Sequence, residues 1–173
     1  MQSRPSAIDC GRHCWGGEEL VSEQTRVSSL LFNVRAHTCA LPLSYVIETM
    51  RPLPVVSLPG TAAPVLGVSI IRGGPMPVVD PGRLLDGAPS QPTRFITLRI
   101  AARQIALSVD GVQGVRTVDA ASLQECPPLL RDASHDLVAS IATLDAELLL
   151  VLNAARIVPD TAWHAIDTWD GPA

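Results

Sequence analysis

The chain has 173 residues, 47% of them hydrophobic and 17% charged, with a formal net charge of −4. These values suit one folded domain, or two very small ones sharing a core, and exclude a disordered polypeptide. They also argue against a protein that tracks a phosphate backbone, because such affinity needs clustered positive charge, so no nucleic-acid partner is expected.

All 13 basic residues are arginine. Residues 1–26 mix Gly, Ser, Arg and Glu without periodicity, the pattern of a flexible terminal tail. The opening Met1-Gln-Ser-Arg-Pro-Ser has no apolar stretch behind a basic start, and no apolar run in the chain reaches the roughly 18 residues of a membrane helix. A cytoplasmic protein without direct membrane insertion is therefore expected. Cys10, His13 and Cys14, with His37, have the ligand chemistry of a zinc site. They lack a paired second knuckle, so the expectation is no metal and four reduced thiols, at 10, 14, 39 and 126.

From Val27 the pattern becomes that of strands. Leu30, Phe32, Val34 and Ala36 alternate with polar positions, and Cys39, Leu41 and Leu43 resume the alternation after a turn at His37-Thr38. Further strands are predicted at Tyr45–Arg51, Val65–Arg72, Met76–Asp80, Thr93–Ala101, Gln104–Asp110, Val112–Val118, Leu137–Leu144 and Leu148–Leu152, punctuated by 15 prolines and 12 glycines. After Pro159-Asp160, Ala162, Ile166 and Trp169 share a helical face beside Trp163, which predicts an amphipathic helix and tail over 159–173, packed back on the body.

The body contains a repeat. A shift of 66 positions lays Leu30 on Ile96, Phe32 on Leu98, Val34 on Ile100, Cys39 on Ile105, Leu41 on Leu107 and Val46 on Val112. A shift of 73 lays Val68 on Ile141, Val78 on Val151, Asp80 on Asn153 and Arg83 on Arg156. Two copies of one β unit follow. The expected fold is all-β, with two tandem five-stranded barrels, about 27–88 and 92–158, sharing a hydrophobic interface because each alone is marginal in size. Cys39, opposite Ile105 in the repeat, reads as a buried hydrophobe.

No catalytic constellation stands out. The four histidines, at 13, 37, 135 and 164, are scattered over tails and loops, no serine sits in a G-x-S-x-G turn, and the chain has no lysine for a phosphate loop. Asp80 and Asp110 could form a carboxylate pair, but Asp80 is replaced by Asn153 in the second copy. Asp and Asn are both good helix caps, whereas Asn cannot act as a base. Gly67, Asp80, Asp110 and Asn153 are therefore read as structural turn or cap residues. Neither an enzyme nor a cofactor is expected.

Three stretches match a known pattern. They are Gly67-Val-Ser-Ile-Ile-Arg72-Gly73-Gly-Pro-Met-Pro77-Val-Val-Asp80, Ala40-Leu41-Pro42-Leu43-Ser-Tyr-Val46-Ile47-Glu48, and Val109-Asp110-Gly111-Val112-Gln-Gly114-Val115. In order and spacing the chain resembles the CheW-like domain family of bacterial chemosensory adaptors over roughly 27–158. The resemblance implies two SH3-like barrels and a non-catalytic scaffold coupling a CheA-type histidine kinase to the cytoplasmic tip of chemoreceptors, recruited to membrane-bound receptor arrays. It implies partner-binding roles for Val46, Glu48, Arg72 and Gly73. An Arg beside a Gly-Gly turn offers a planar fork of donors for a partner's carboxylates or carbonyls. Two positions depart from the family pattern: Ile70 stands where Asn is usual and Pro81 where Leu is usual. The alternative is a small ligand- or metal-binding barrel outside chemotaxis, which a zinc assay with Cys10 and Cys14 variants would separate.

Overall fold

The structure is a computed structural model that describes residues 26–60, 63–133, 136–158 and Trp163. The alternating segments form strands β1 (Arg26–Val34), β2 (His37–Pro42), β3 (Val46–Met50), β4 (Val65–Ile71), β5 (Gly74–Val79), β6 (Arg94–Ile100), β7 (Arg103–Val109), β8 (Gly111–Asp119), β9 (Gln124–Glu125), β10 (Val138–Leu144) and β11 (Glu147–Leu152). Two short helices, α1 (Pro81–Leu85) and α2 (Pro128–Ala133), and three 3-10 turns complete the described chain. The first hairpin turns at Arg35 and Ala36, so His37 opens β2 and is not in the turn expected at His37-Thr38.

The strands form two sheets, ordered β8-β1-β2-β11-β10-β9 and β3-β6-β7-β5-β4. Superimposing the repeats makes the two orders identical, apart from the extra β9. The resulting fold is that of two SH3-like barrels. The boundaries expected from the repeat, 27–88 and 92–158, do not delimit the sheets, because each sheet takes its first hairpin from one copy and its other strands from the other.

Connection length explains this exchange. β2 ends opposite Ser29, near the start of β1, whereas the strand on the other side of β1 begins opposite Asn33. To occupy that slot β3 would have to start roughly 13 Å back along the sheet and two strand spacings away. The 3-10 turn Leu43–Tyr45 advances only roughly 6 Å, so β3 starts in the other sheet. In the second copy only Asp110 separates β7 from β8, which forces the same crossing.

The exchange puts three apolar clusters in place. Leu30, Phe32, Cys39 and Leu41 from the first hairpin meet Ile96, Leu98, Ile105 and Leu107 from the second in one core shared by both sheets. Cys39 and Ile105 are both fully buried. On the reverse faces, Leu31, Ala40 and Leu149 fill one barrel, and Phe95, Ala106 and Val78 fill the other.

The sheet edges at β4 and β10 are covered alike. Val56 bridges Val68 through two backbone hydrogen bonds of 2.8 and 2.9 Å, and β9 pairs Gln124 with Ile141, the counterpart of Val68. β9 and α2 follow no periodic pattern and are not among the expected elements. Trp163 packs against the shared core with the Arg103 guanidinium 4.5 Å above its ring. The rest of the expected C-terminal helix, and the tail with Cys10, His13 and Cys14, lie outside the described residues.

Candidate partner-binding site

β4 and β5 are joined by a two-residue turn between the paired residues Ile71 and Gly74. Arg72 (φ 53°) and Gly73 (φ 79°) both have positive φ, the signature of a type I′ hairpin, whose twist matches that of its strands. The turn expected at Gly73-Gly74 therefore sits one residue earlier, at Arg72 and Gly73, while Gly74 already belongs to β5. The equivalent turn of the second copy repeats the geometry with Asp145 (φ 51°) and Ala146 (φ 66°).

The Arg72 side chain reaches Glu48. Its Nε donates to Oε1 at 2.8 Å and its Nη2 to Oε2 at 2.5 Å, a planar fork on a carboxylate. Glu48 lies on β3, one edge of the five-stranded sheet, whereas Arg72 directly follows β4, the other edge, so the pair ties the two edges of the barrel together. Hydrogen bonding from Arg72, reinforced by its charge, holds the Glu48 carboxyl below the usual range against a smaller opposing effect of desolvation. Glu48 raises Arg72 in turn. Arg72 remains 75% exposed, and its Nη1 makes no hydrogen bond among the described residues. In the other barrel the matching positions are Gly114 and Asp145, so the pair occurs in one barrel alone.

Glu48, Arg72 and Gly73 therefore form one cluster. Val46 lies two residues from Glu48 on β3, but its half-buried side chain packs against the shared core. A bulge between Val46 and Glu48 leaves Ile47 exposed, near Leu43 and Tyr45 in sequence and also exposed. Leu43, expected to continue the alternation of Cys39 and Leu41 as a half-buried strand position, instead opens the 3-10 turn Leu43–Tyr45 and faces outward.

The residues read as structural hold turns and crossings elsewhere in the fold. Gly67 (φ 145°) forms a bulge in β4, and a Cβ there would lie 2.1 Å from the Val56 carbonyl oxygen, so only glycine admits the covering segment. Asp80 is buried and caps α1: its carboxylate accepts from the Gly82 N–H (2.9 Å), the Ser90 N–H (3.0 Å) and the Ser90 hydroxyl (2.7 Å). Asn153 caps the 3-10 turn Ala154–Arg156 through the Ala155 N–H at 3.1 Å. Asp110 caps no helix; its carboxylate accepts from the backbone N–H groups of Arg35 and Gln91, pinning two loops at the β7–β8 crossing.

A family model of the CheW-like domain matches residues 28–162. The chain belongs to the CheW-like domain family. It is 24% identical over 147 residues to the "Chemotaxis protein CheW" of Rhizobium meliloti (strain 1021), covering 83% of this chain and 89% of that protein. It is 24% identical over 115 residues to the "Probable chemotaxis protein CheW" of Rhizobium etli, covering 65% of this chain and 74% of that one. The fold resembles the crystal structure of the scaffolding protein TtCheW from Thermoanaerobacter tengcongensis, with a TM-score of 0.66 and 22% identity over 73% of this chain and 88% of the other.

Within this CheW-like fold several polar groups are committed to structure. A cleft of about 460 Å³ is lined by Arg35, Ala36, Gln91, Thr93 and Asp110, but Asp110 is already engaged by two backbone amides. His37 Nε2 lies 2.9 Å from Asp86, which also pairs with Arg35 at 3.2 Å. Burial, reinforced by the charge of Asp86, pushes the Cys39 thiol up to about 12, far from a reactive thiolate. Among the described residues no three His, Cys, Asp or Glu side chains stand together as a metal site.

Proposed function

We propose that this chain is a non-catalytic chemosensory adaptor, coupling a CheA-type histidine kinase to chemoreceptors through contacts made by its two barrels. The observation that carries the reading is the family match, which spans both barrels from residue 28 to 162. The relatives named as chemotaxis proteins, covered over most of their length, support the chemosensory assignment.

In this reading Arg72, Glu48 and Gly73 form part of the receptor-facing surface, and the kinase module meets the barrel edges. A hairpin turn fixed by paired strands and tied to β3 through Glu48 offers a partner a rigid directional donor at little entropic cost. No helix among the described residues is long and apolar enough to cross a membrane, and recruitment to membrane-bound arrays would follow from receptor contact. Purified chain titrated separately against the kinase's CheW-like domain and a receptor signalling fragment tests the proposal. Saturable binding to both supports it; binding to neither overturns it.

A further inference from the structure

The Glu48–Arg72 pair closes one end of the first barrel, the mouth between β3 and the β4–β5 turn. The second barrel repeats the same ladders around its own mouth: Gly114 pairs with Leu31 as Glu48 pairs with Thr97, and Arg116 with Ser29 as Met50 with Phe95. Its β10–β11 turn places Asp145 and Glu147 where the first barrel has Arg72 and Gly74. Only the side chains differ. Glycine removes the carboxylate, Asp145 replaces the cation, and exposed Arg116 stands in place of Met50, which packs against the interior cluster of the first barrel. The second mouth is therefore open.

A pocket of about 50 Å³ lies there, with Leu31, Leu144 and Leu149 as its apolar part and Arg116, Asp145 and Glu147 as its charged groups. Leu31 and Leu149 belong to the barrel's interior cluster, and Leu144 packs against it. Alternation puts Arg116 on the same face of β8 as buried Val118, and Glu147 on the same face of β11 as Leu149. β8 and β11 are separated in the sheet by β1 and β2, so cation and carboxylates enter the mouth from different sides. None of the three charged side chains has an ion pair or a side-chain hydrogen bond among the described residues.

Size and charge together define the ligand. Allowing about 10–15 Å³ for each water-sized group, the pocket holds roughly four of them, which is an isopropyl or isobutyl side chain. Unpaired charges of both signs around it suit a ligand that carries both. An alkylamine would leave Arg116 unanswered, and a fatty acid would leave the two carboxylates so.

We propose that the open mouth of the second barrel binds a free α-amino acid with a branched aliphatic side chain, such as valine or leucine. The side chain enters against Leu31, Leu144 and Leu149, the ammonium is held by Asp145 and Glu147, and the carboxylate by the Arg116 guanidinium. The site needs neither kinase nor receptor, so it stands apart from the adaptor reading.

NMR titration of the full chain with L-leucine, followed through its backbone amide signals, tests the site. Expected are shifts around Gly114 and Asp145 that saturate below about 10 mM. Glycine, leucinamide and isocaproic acid, which lack in turn the side chain, the carboxylate and the ammonium, should each bind at least about tenfold more weakly. Arg116→Met, which gives the second barrel the residue of the first, and Glu147→Gln should each weaken leucine binding about tenfold or more with melting temperatures close to wild type. Three results overturn the site: shifts that do not saturate by about 10 mM, leucinamide binding as tightly as leucine, or leucine affinity unchanged in both variants.

Discussion

Arg72 and Glu48 are 24 residues apart in sequence and meet through two parallel hydrogen bonds that join the β4–β5 turn to the far edge strand of the same sheet. The guanidinium fork expected to serve a partner's carboxylates or carbonyls is instead engaged by an internal carboxylate, which holds the side chain in a fixed direction. Residues singled out separately for partner binding thus act as one unit.

Glu48→Lys should release Arg72 and set two cations side by side, weakening receptor binding while the melting temperature stays close to wild type, since the pair is solvent-screened. Exchanging the charges, Glu48→Arg with Arg72→Glu, should rebuild the pair without restoring binding, because the outward donors are then gone from the turn. Calorimetric titration of the single and double variants checks both outcomes; recovery in the double variant would mean that the pair matters only for shape.

Acid should break the same contact. The Glu48 carboxyl is held below its ordinary range in the folded chain, so the pair's contribution is complete above the unfolded carboxyl's pKa and disappears as pH falls through the lowered folded value. Receptor binding should accordingly be insensitive to Glu48 titration around neutral pH. An NMR titration of the Glu48 side-chain carbonyl carbon should give a midpoint below the usual glutamate value in wild type and one no longer lowered in Arg72→Ala, where only the opposing desolvation remains.

Two glycines with positive φ should behave differently. At Gly67 an added Cβ meets the Val56 backbone at 2.1 Å, whereas at Gly114 (φ 127°) it meets nothing within 4 Å. Gly67→Ala is expected to cost on the order of 3 kcal/mol, and Gly114→Ala about 1 kcal/mol from backbone strain alone. Urea denaturation of the two variants should separate them clearly.

Much of this architecture was legible in the sequence. Alternation located the long strands, and the match of Cys39 to Ile105 and of Leu30 to Ile96 marked positions that are all buried. The exchange of hairpins was not legible, because Leu30, Phe32, Cys39 and Leu41 are apolar equivalents of Ile96, Leu98, Ile105 and Leu107, and a pattern shared by both hairpins cannot say which copy each one joins. Connection length held the missing information: three residues after Pro42 and one after Val109 are too few for a return. At the site, Arg72 and Glu48 stood out individually, but contact between edge strands of a curled sheet depends on curvature that periodicity does not encode.

Asp80 should be among the costliest polar residues to truncate. Removing its carboxylate leaves the Gly82 N–H, the Ser90 N–H and the Ser90 hydroxyl without that acceptor in a buried site, so Asp80→Ala is expected to lose about 3 kcal/mol. Asn153→Ala, which removes a single cap bond, should lose about 1 kcal/mol. Equilibrium unfolding of both variants checks the order.

Cys39, with its thiol raised to about 12 by burial, should resist alkylation in the native protein at pH 8 and react only once the chain unfolds. Because its folded pKa lies above the unfolded one, its contribution to stability is complete below the ordinary thiol value and is lost as pH rises from there toward 12. Peptide mapping after native and denatured labelling reads the first statement directly.

Adaptor function requires both partners to be held at once. Sedimentation velocity on an equimolar mixture of the full chain, the kinase's CheW-like domain and the receptor signalling fragment measures this most directly. The expected result is one ternary boundary, larger than either binary complex and lost with Arg72→Ala as the receptor fragment drops away while the kinase domain stays bound. Two mutually exclusive binary complexes, or none, would contradict an adaptor.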